Sequence, residues 1–299
     1  MSFRQTPLGS IIRHHIVLIA MLACVTFGWI ITGRYFPWLA LIVGVDWFFI
    51  NIFNRITDAK EDVTNAVPGA EQVAGARRWL EPAAFVALAI SFVVTQWAYP
   101  TLWPWRVAVQ LVGLAYSYRL VPTPSGPKRL KEFYLIKNTG SAALFVVTCI
   151  IYPWQASGAP SIFPLGGIVA LAIFFPLYEL SYEIIYDLRD LPGDRAEGIP
   201  TFPVVHGEVV SVQIIHGLLI AAVCTLLGGF GLGVLGVREL LMLVAPGLQW
   251  LLLQRWLKRG IVHEDCIWLT HIGSALLVVF LVGTYVWVRA GLPGNIFLR

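Results

Sequence analysis

The chain has 299 residues, of which 58% are hydrophobic and 13% are charged, whereas soluble domains carry roughly 25% charged residues. A surface this apolar is unfavourable in water, which excludes a water-soluble domain and predicts an integral membrane protein. The formal net charge of +4 is small, and four scattered cysteines without CxxC or histidine spacing exclude a disulfide framework and a zinc site.

Nine segments are apolar and long enough to span a bilayer, because a spanning helix needs about 20 mostly apolar residues. In chain order they cover residues 14–33, 37–55, 80–99, 103–120, 138–156, 163–186, 208–233, 238–256 and 267–290. Several boundaries coincide with prolines, which lack the N–H group that a helix interior requires. No polar linker separates two halves, so the sequence predicts an all-α, polytopic membrane helical bundle that forms one domain over residues 1–299.

The polar connections between these segments are unequal in length and charge. Four long, charged ones, 56–79, 121–137, 187–207 and 257–266, fall on the same side as the N-terminus if nine helices cross the bilayer. Sixteen of the 21 Lys and Arg residues lie on that side, and the other five are Arg34, Arg106, Arg238, Arg289 and Arg299. Because cytoplasmic loops carry an excess of Lys and Arg, we expect the N-terminus and the long loops in the cytoplasm, as in a bacterial inner membrane.

The end of the second segment carries three oxygen-bearing side chains at a spacing of four. Asn54, Asp58 and Asp62 share one face if the helix continues past the apolar stretch. One such set is equally well explained by acidic residues that are solvated in a loop.

The end of the sixth segment carries a second acidic set of the same kind. Glu183, Asp187 and Asp190 share one face at i, i+4 and i+7. Pro192–Gly193 follows, and we expect it to break the helix and leave Asp194 on the loop.

Acidic residues stacked at the C-terminal end of a helix repel one another and oppose the helix dipole. A sequence that accepts this cost twice, on the same side of the membrane, indicates a bound cation. Carboxylates with an amide oxygen, and without Cys or His, suit Mg²⁺ rather than zinc. Because Mg²⁺ commonly shares a phosphate ligand, the two motifs predict a diphosphate substrate.

The spacing NxxxDxxxD at the end of the second segment, with DxxDxxxD at the end of the sixth, resembles the UbiA superfamily of intramembrane prenyltransferases. The resemblance extends to the number of helices and to the stretch 193–207 after the second motif, and it covers essentially the whole chain. It implies a bundle around a central cavity, with two halves of four to five helices that each carry one acidic motif.

The resemblance also implies an activity and a set of site residues. The activity is Mg²⁺-dependent transfer of a polyprenyl group from a prenyl diphosphate to a lipophilic or aromatic acceptor of quinone, chlorin or isoprenoid type. Two Mg²⁺ ions would be held by Asn54, Asp58, Asp62, Asp187, Asp190 and Asp194, and the five aspartates would be the catalytic residues. The substrate would contact Asn54, Tyr116, Lys128, Arg129, Lys131, Lys137 and Glu183, the four basic residues following the Tyr116–Ser117 pair as they do in the family. Neither nucleic acid nor an obligatory protein partner is expected.

One segment departs from the family pattern and concerns the acceptor. Many quinone and chlorophyll branches follow the first motif with a segment similar to Arg-Thr-x-Arg-Pro, whereas residues 63–70 differ from it here. The acceptor is therefore left open by the sequence.

Further polar residues at membrane depth are secondary candidates, because ionisable groups there are commonly functional. Asp46, Glu179 and Glu183 could bind acceptor groups or take the final proton. For Asp46, interhelical hydrogen bonding is an equal alternative. Tyrosines at 178, 182 and 186 form a neighbouring stripe, whose ring faces could contact the carbocation that forms when a prenyl diphosphate ionises. For these tyrosines, interhelical hydrogen bonding is the preferred interpretation.

Two other classes of protein use acidic residues in membranes. A transporter would use them as a cation pathway near the bilayer centre, and Asp46 is the residue that favours this alternative. A CDP-alcohol phosphotransferase would use aspartates with Mg²⁺, but its DGxxAR-type segment is not found in the sequence.

Overall fold

The computed structural model describes residues 12–64, 67 and 69–291. Within these residues the regular structure is helical, apart from one isolated antiparallel bridge between Val121 and Lys128. In chain order the helices are α1 (His14–Thr32), α2 (Pro37–Thr57), α3 (Ala59–Thr64), α4 (Ala70–Ala98), α5 (Trp103–Ser117), α6 (Tyr134–Ser157), α7 (Leu165–Glu197), α8 (Phe202–His206), α9 (Glu208–Gly231), α10 (Val237–Leu257) and α11 (His263–Arg289).

Eight of these helices are long and apolar enough to cross a membrane. The ninth predicted span, 103–120, corresponds to α5, which has 15 residues and is therefore only about 22 Å long at 1.5 Å per residue. The hydrocarbon core of a bilayer is about 30 Å thick. The all-α, polytopic membrane bundle is thus confirmed, and nine is an approximate number of helices, with α5 as the short one.

The helices α4 and α7 extend well beyond their predicted apolar spans. The connection 56–79, expected to be a loop, contains α3 and the first turns of α4, which begins at Ala70. The prediction that α7 breaks at Pro192–Gly193 is wrong, because the helix continues to Glu197. Prolines are tolerated in membrane helices when neighbouring groups satisfy the freed carbonyl. The helix ends instead at Gly198, whose φ of 68° is the left-handed conformation that favours glycine.

The largest core cluster surrounds α1, which packs against α2, α11 and the π-helical segment Val147–Ile151 within α6. Among the eight helices that could cross a membrane, α4 is the least buried, and most of its apolar residues are exposed. Its exposed side chains recur at the spacing of one helix face, at Val86, Ile90, Val93, Val94 and Trp97. We therefore assign this face to lipid, which is the expected environment of an apolar helix surface in a bilayer protein.

A buried ion pair fixes α2 against α5. The guanidinium of Arg106 donates from Nε and Nη2 to the carboxylate of Asp46, at 3.0 and 2.5 Å, and both side chains are fully buried. Gln110 and the Tyr152 hydroxyl donate to the same carboxylate. Asp46 is therefore engaged in interhelical bonding. Arg106, which the sequence analysis counted on the extracytoplasmic side at the start of the span 103–120, is fully buried inside the bundle. Arg299, assigned to the same side, and Arg4, assigned to the cytoplasmic side, are outside the described residues.

Candidate active site

A cavity of about 550 Å³ opens at the end of the bundle where both acidic motifs lie. This is within the range of about 300–1,000 Å³ that is typical of ligand sites. Its lining comes from α1, α2, α3, α5, α6, α7, α10 and α11 and from the connections between some of them, whereas α4 and α9 contribute none of the lining residues. All six motif residues line it: Asn54, Asp58, Asp62, Asp187, Asp190 and Asp194. The two motifs, separated by more than a hundred residues in sequence, are thus brought to one site.

The first motif lies where α2 gives way to α3. Helix α2 ends at Asp58, whose backbone departs from helical geometry, and α3 resumes at the next residue. The spacing of four is kept across this break, since the Asp58 N–H donates to the carbonyl of Asn54 and the Asp62 N–H donates to that of Asp58. The prediction that the three side chains share one face therefore agrees with the backbone bonding, despite the interruption.

The second motif lies entirely within α7, because that helix continues past Pro192. Asp187 and Asp194 are both buried, and Glu183 lines the cavity one turn further into the bundle than Asp187. The carbonyl of Asp194 accepts the Ile199 N–H. Asp194, expected on a loop, is therefore held on the same helix as the other two aspartates.

Basic side chains from the connection after α5 and from α6 contact one aspartate of each motif. Lys131 Nζ and Arg129 Nη1 lie 2.8 and 3.0 Å from Oδ1 of Asp58. Lys137 Nζ lies 2.9 Å from Oδ1 of Asp187. The structure thus brings three of the four predicted basic residues into the site.

Lys128 is not brought into the site. Its backbone pairs with Val121, and its ammonium lies over the ring of Phe133. Tyr116, the predicted aromatic contact, does line the cavity, and the charges of Lys137 and Glu183 act on its hydroxyl.

Two arginines on the other flank were missed by the sequence analysis. Arg55 Nη1 lies 2.6 Å from Oδ2 of Asp62, and Arg189 Nε donates to Asp190 over 2.7 Å. Both arginines line the cavity, as does Arg13 at the start of α1. A signal was present in the sequence, because Arg55 follows the first residue of one motif and Arg189 precedes the middle aspartate of the other.

The donor set of the site fits a hard divalent cation. Asn54 offers a buried Oδ1 with no hydrogen-bond partner among the described residues, and the aspartates offer carboxylate oxygens, which are the ligands that Mg²⁺ prefers. In the part of the chain that the structure describes, no group of three His, Cys, Asp or Glu side chains is arranged to hold a metal ion. The carboxylates of Asp58, Asp62, Asp187 and Asp190 are paired with Lys and Arg instead.

Beyond the charged end, the cavity is lined by aromatic and aliphatic side chains. Phe175 packs edge-on against Phe27 and Phe145, with ring centroids 5.1 and 5.8 Å apart. Trp47 stacks on Phe145 at 4.0 Å and donates from Nε1 to Thr148 in the π-helical segment. This part of the cavity suits a hydrocarbon chain, because it offers apolar contact and few hydrogen bonds.

The three tyrosines of the stripe all line the cavity but differ in their contacts. Tyr182 and Tyr186 both hydrogen-bond through their hydroxyls to Thr270 of α11. Tyr178 stacks on Phe174. For Tyr182 and Tyr186, the preferred alternative of interhelical bonding therefore agrees with the structure.

The sequence matches the model of one protein family, described as the UbiA prenyltransferase family, over residues 16–270. Among curated proteins, it is 28% identical over 233 residues to a digeranylgeranylglyceryl phosphate synthase of Natronomonas pharaonis, covering 77% of this chain and 76% of the relative. A protein of the same name from Methanobrevibacter smithii is 28% identical over 242 residues, covering 75% of this chain and 78% of the relative.

The fold is similar to solved structures of archaeal proteins. A UbiA homolog from Archaeoglobus fulgidus, bound to DMAPP and Mg²⁺, superimposes with a TM-score of 0.70 at 16% identity, covering 93% of this chain and 98% of the other. The apo structure of a UbiA homolog from Aeropyrum pernix superimposes with a TM-score of 0.62 at 17% identity, covering 92% and 98%. At these identities the likeness concerns the fold alone.

Proposed function

The chain belongs to the UbiA prenyltransferase family, and from that membership we propose how its own residues carry out the transfer. The reaction moves a prenyl group from a prenyl diphosphate to an acceptor and releases diphosphate. The observation that carries the assignment of residues is the meeting of both acidic motifs and the three basic side chains at the charged end of one otherwise apolar cavity.

We assign the metal ligands to the two motifs. Asn54, Asp58 and Asp62 would hold one Mg²⁺, and Asp187, Asp190 and Asp194 would hold a second. When bound, the metal ions neutralise the negative charge that develops on the diphosphate as it leaves. The carboxylates must exchange their Lys and Arg partners for the metal, which frees those cations for the diphosphate oxygens.

The basic side chains bind and orient the diphosphate. Lys131, Lys137 and Arg129 are already held at the cavity mouth by Asp58 and Asp187, so little rearrangement is needed for their N–H groups to donate to phosphate oxygens. They stabilise the leaving group as the bond between C1 and oxygen ionises. The four lysine and arginine contacts predicted from the sequence are thereby reduced to three, without Lys128.

The apolar part of the cavity binds the prenyl tail and excludes water. Because an allylic carbocation reacts readily with water, shelter from bulk solvent is required until the acceptor attacks. The aromatic faces of Phe145, Phe174 and Phe175 line the region that the tail would occupy. Aromatic faces also stabilise positive charge nearby.

We propose that the protein lies in the cell membrane with the charged end of the bundle facing the cytoplasm. The four basic connections and the N-terminal Arg13 contribute to this end, and cytoplasmic loops carry the excess of Lys and Arg. A water-soluble diphosphate product would then be released into the cytoplasm.

The acceptor we propose is a lipophilic alcohol. The curated relatives are named for the synthesis of a glyceryl phosphate that carries two geranylgeranyl groups, which supports a glycerol-type hydroxyl over a quinone or chlorin.

The transporter alternative loses its main support, because Asp46 is bound by Arg106, Gln110 and Tyr152 in a closed network.

The test is diphosphate release from radiolabelled geranylgeranyl diphosphate by purified protein with Mg²⁺. Asp58→Asn and Asp187→Asn should each lower release by at least 100-fold. Glu208→Gln, which changes an exposed acid in the first turn of α9, should leave it within twofold. Equal release by all four proteins would contradict the proposed site.

A further inference from the structure

Glu179 has no role in the prenyl diphosphate site described above, although it lines the same cavity. It lies on α7, is only 7% exposed, and neither of its carboxyl oxygens has a hydrogen bond of ordinary geometry within the described residues. Its polar neighbours are Ser141 of α6 and Glu183, one turn along its own helix. A buried carboxyl group without such a bond is unfavourable, so this position is suited to a ligand that donates one.

The environment of Glu179 differs from that of the aspartates at the cavity mouth. Asp58 and Asp187 are neutralised by the lysines at 131 and 137, whereas the neighbouring charge that acts on Glu179 is that of Glu183. A second acid nearby makes a further anion, such as a phosphate, a poor partner for Glu179 itself, so a phosphate carried by the acceptor would lie toward Lys131 and Lys137. A neutral O–H group is the donor that this pocket favours.

The depth of Glu179 matches the place where the acceptor must attack. It lies two helical turns from Asp187, or about 12 Å along α7, with Glu183 about halfway. In a prenyl diphosphate, C1 follows directly after the diphosphate, on the side of the tail. With the diphosphate held at the level of Asp187, a nucleophile approaching C1 lies between Asp187 and Glu179.

We propose that Glu179 binds the hydroxyl group of the acceptor and takes its proton during transfer, with Ser141 and Glu183 completing the hydroxyl pocket. This inference rests on the proposed function and adds a second polar site, deeper than the diphosphate site, in the same cavity. It assigns the acceptor a nucleophilic oxygen.

The transfer to the acceptor hydroxyl needs no reactant beyond the two substrates and Glu179. The bond between C1 and the diphosphate oxygen breaks, and its electron pair leaves with the diphosphate. The acceptor oxygen forms the new bond to C1, the electrons of its O–H bond stay on the ether oxygen, and the proton passes to the carboxylate of Glu179. A base inside the bundle is needed because the shelter that slows attack of water on the carbocation also limits the water that would otherwise take this proton.

The test uses purified protein, Mg²⁺, labelled geranylgeranyl diphosphate, and geranylgeranylglyceryl phosphate as the alcohol probe. Three products are separated: the ether, the free prenyl alcohol formed by water, and diphosphate. The variants are Glu179→Gln, which keeps the shape of the side chain, and Glu179→Asp, which keeps the carboxylate. Ser181→Ala is the control, since Ser181 lies on the same helix but bonds to Gln249 and does not line the cavity.

The expected result is a change in the fate of the prenyl group. Glu179→Gln should lower ether formation by about 100-fold or more, the usual contribution of a general base, while diphosphate release persists and free prenyl alcohol accumulates. The kcat of this variant for ether formation should fall by a larger factor than the factor by which its KM for the prenyl diphosphate rises. Glu179→Asp should recover part of the ether product, and Ser181→Ala should behave as the wild type.

Three outcomes would overturn the inference. The first is ether formation by Glu179→Gln within threefold of the wild type. The second is a parallel loss of ether formation and diphosphate release, because a group that acts on the acceptor does not control ionisation. The third is a wild-type protein that releases diphosphate but makes no ether from the probe, which leaves the diphosphate site standing. A wild-type protein that releases no diphosphate would instead contradict the proposed function.

Discussion

The Nζ atom of Lys137 lies 2.9 Å from Oδ1 of Asp187, which joins α6 to α7 at the mouth of the cavity. Both side chains are largely buried there. The ammonium group is thereby fixed beside a proposed metal ligand before any substrate arrives. A cation held in this way needs little reorganisation to bind the diphosphate as the carboxylate turns to a metal ion.

Replacement of Lys137 by Met should weaken substrate binding. A hydrogen bond to a charged partner contributes about 1.5–3 kcal/mol, so we expect the Kd of a non-hydrolysable prenyl thiodiphosphate to rise by roughly 10- to 100-fold, measured by calorimetry with Mg²⁺ present. Lys128→Met is the control, because Lys128 lies outside the proposed diphosphate site. The Kd of this variant for the same thiodiphosphate should stay within twofold of the wild-type value. Equal effects of the two substitutions would contradict the assignment.

Arg189 should compete with the metal when substrate is absent. It is paired with Asp190, next to it in sequence, and removal of a cation from this partly buried carboxylate increases its attraction for another cation. We therefore expect Arg189→Gln to tighten the binding of Mn²⁺ alone by up to about tenfold, or about 1.4 kcal/mol, as measured by calorimetry. An exposed arginine at the other end of the bundle, changed by Arg34→Gln, serves as the control. Weaker Mn²⁺ binding by Arg189→Gln would show that Arg189 organises the ligands instead.

The pair of Asp46 and Arg106 should support stability rather than chemistry. Removing one partner of a buried ion pair leaves an uncompensated charge and typically costs about 3–5 kcal/mol, so Asp46→Leu and Arg106→Met should each lower the midpoint of thermal unfolding in detergent. The double variant should lose less than the sum of the single changes, because neither charge remains. Diphosphate release per folded molecule should be retained in all three. Loss of release from a stably folded Asp46→Leu protein would restore a functional role for Asp46.

The acidic motifs could be predicted because their signal is local. Residues three or four apart on a helix share a face, and the Asp58 and Asp187 sets show that spacing directly in the sequence. The apolar spans were predictable for the same reason, since length and hydropathy alone identify a membrane helix. The predicted helix ends were less accurate where a helix extends beyond its apolar stretch, as α7 does by continuing to Glu197.

The partners of those acids could not be predicted, because they depend on tertiary packing. Asp46 and Arg106 are 60 residues apart, and the sequence alone counted Arg106 among the basic residues of the extracytoplasmic side, at the start of the predicted span 103–120. Arg189 bonds to its immediate neighbour Asp190, although adjacent residues on a helix do not normally face each other. Within the described residues, Glu179 lacks a hydrogen bond of ordinary geometry, and this likewise depends on which side chains of α6 reach it, which no spacing within α7 reveals.

The depth of the apolar cavity should set the length of prenyl chain that is accepted. Ala23 lines the cavity and is buried against the core, about 15 Å along α1 from Arg13 at the mouth. A ten-carbon chain ends short of this level, whereas a twenty-carbon chain passes it. Ala23→Phe should therefore lower kcat/KM for geranylgeranyl diphosphate by about tenfold or more while changing that for geranyl diphosphate much less, because the added ring displaces the distal isoprene units. The same substitution at Ala89, which is exposed on the lipid-facing helix α4, should leave the ratio of the two values unchanged. A parallel loss for both chain lengths in Ala23→Phe would mean that the added ring strains the core and that the tail takes another path.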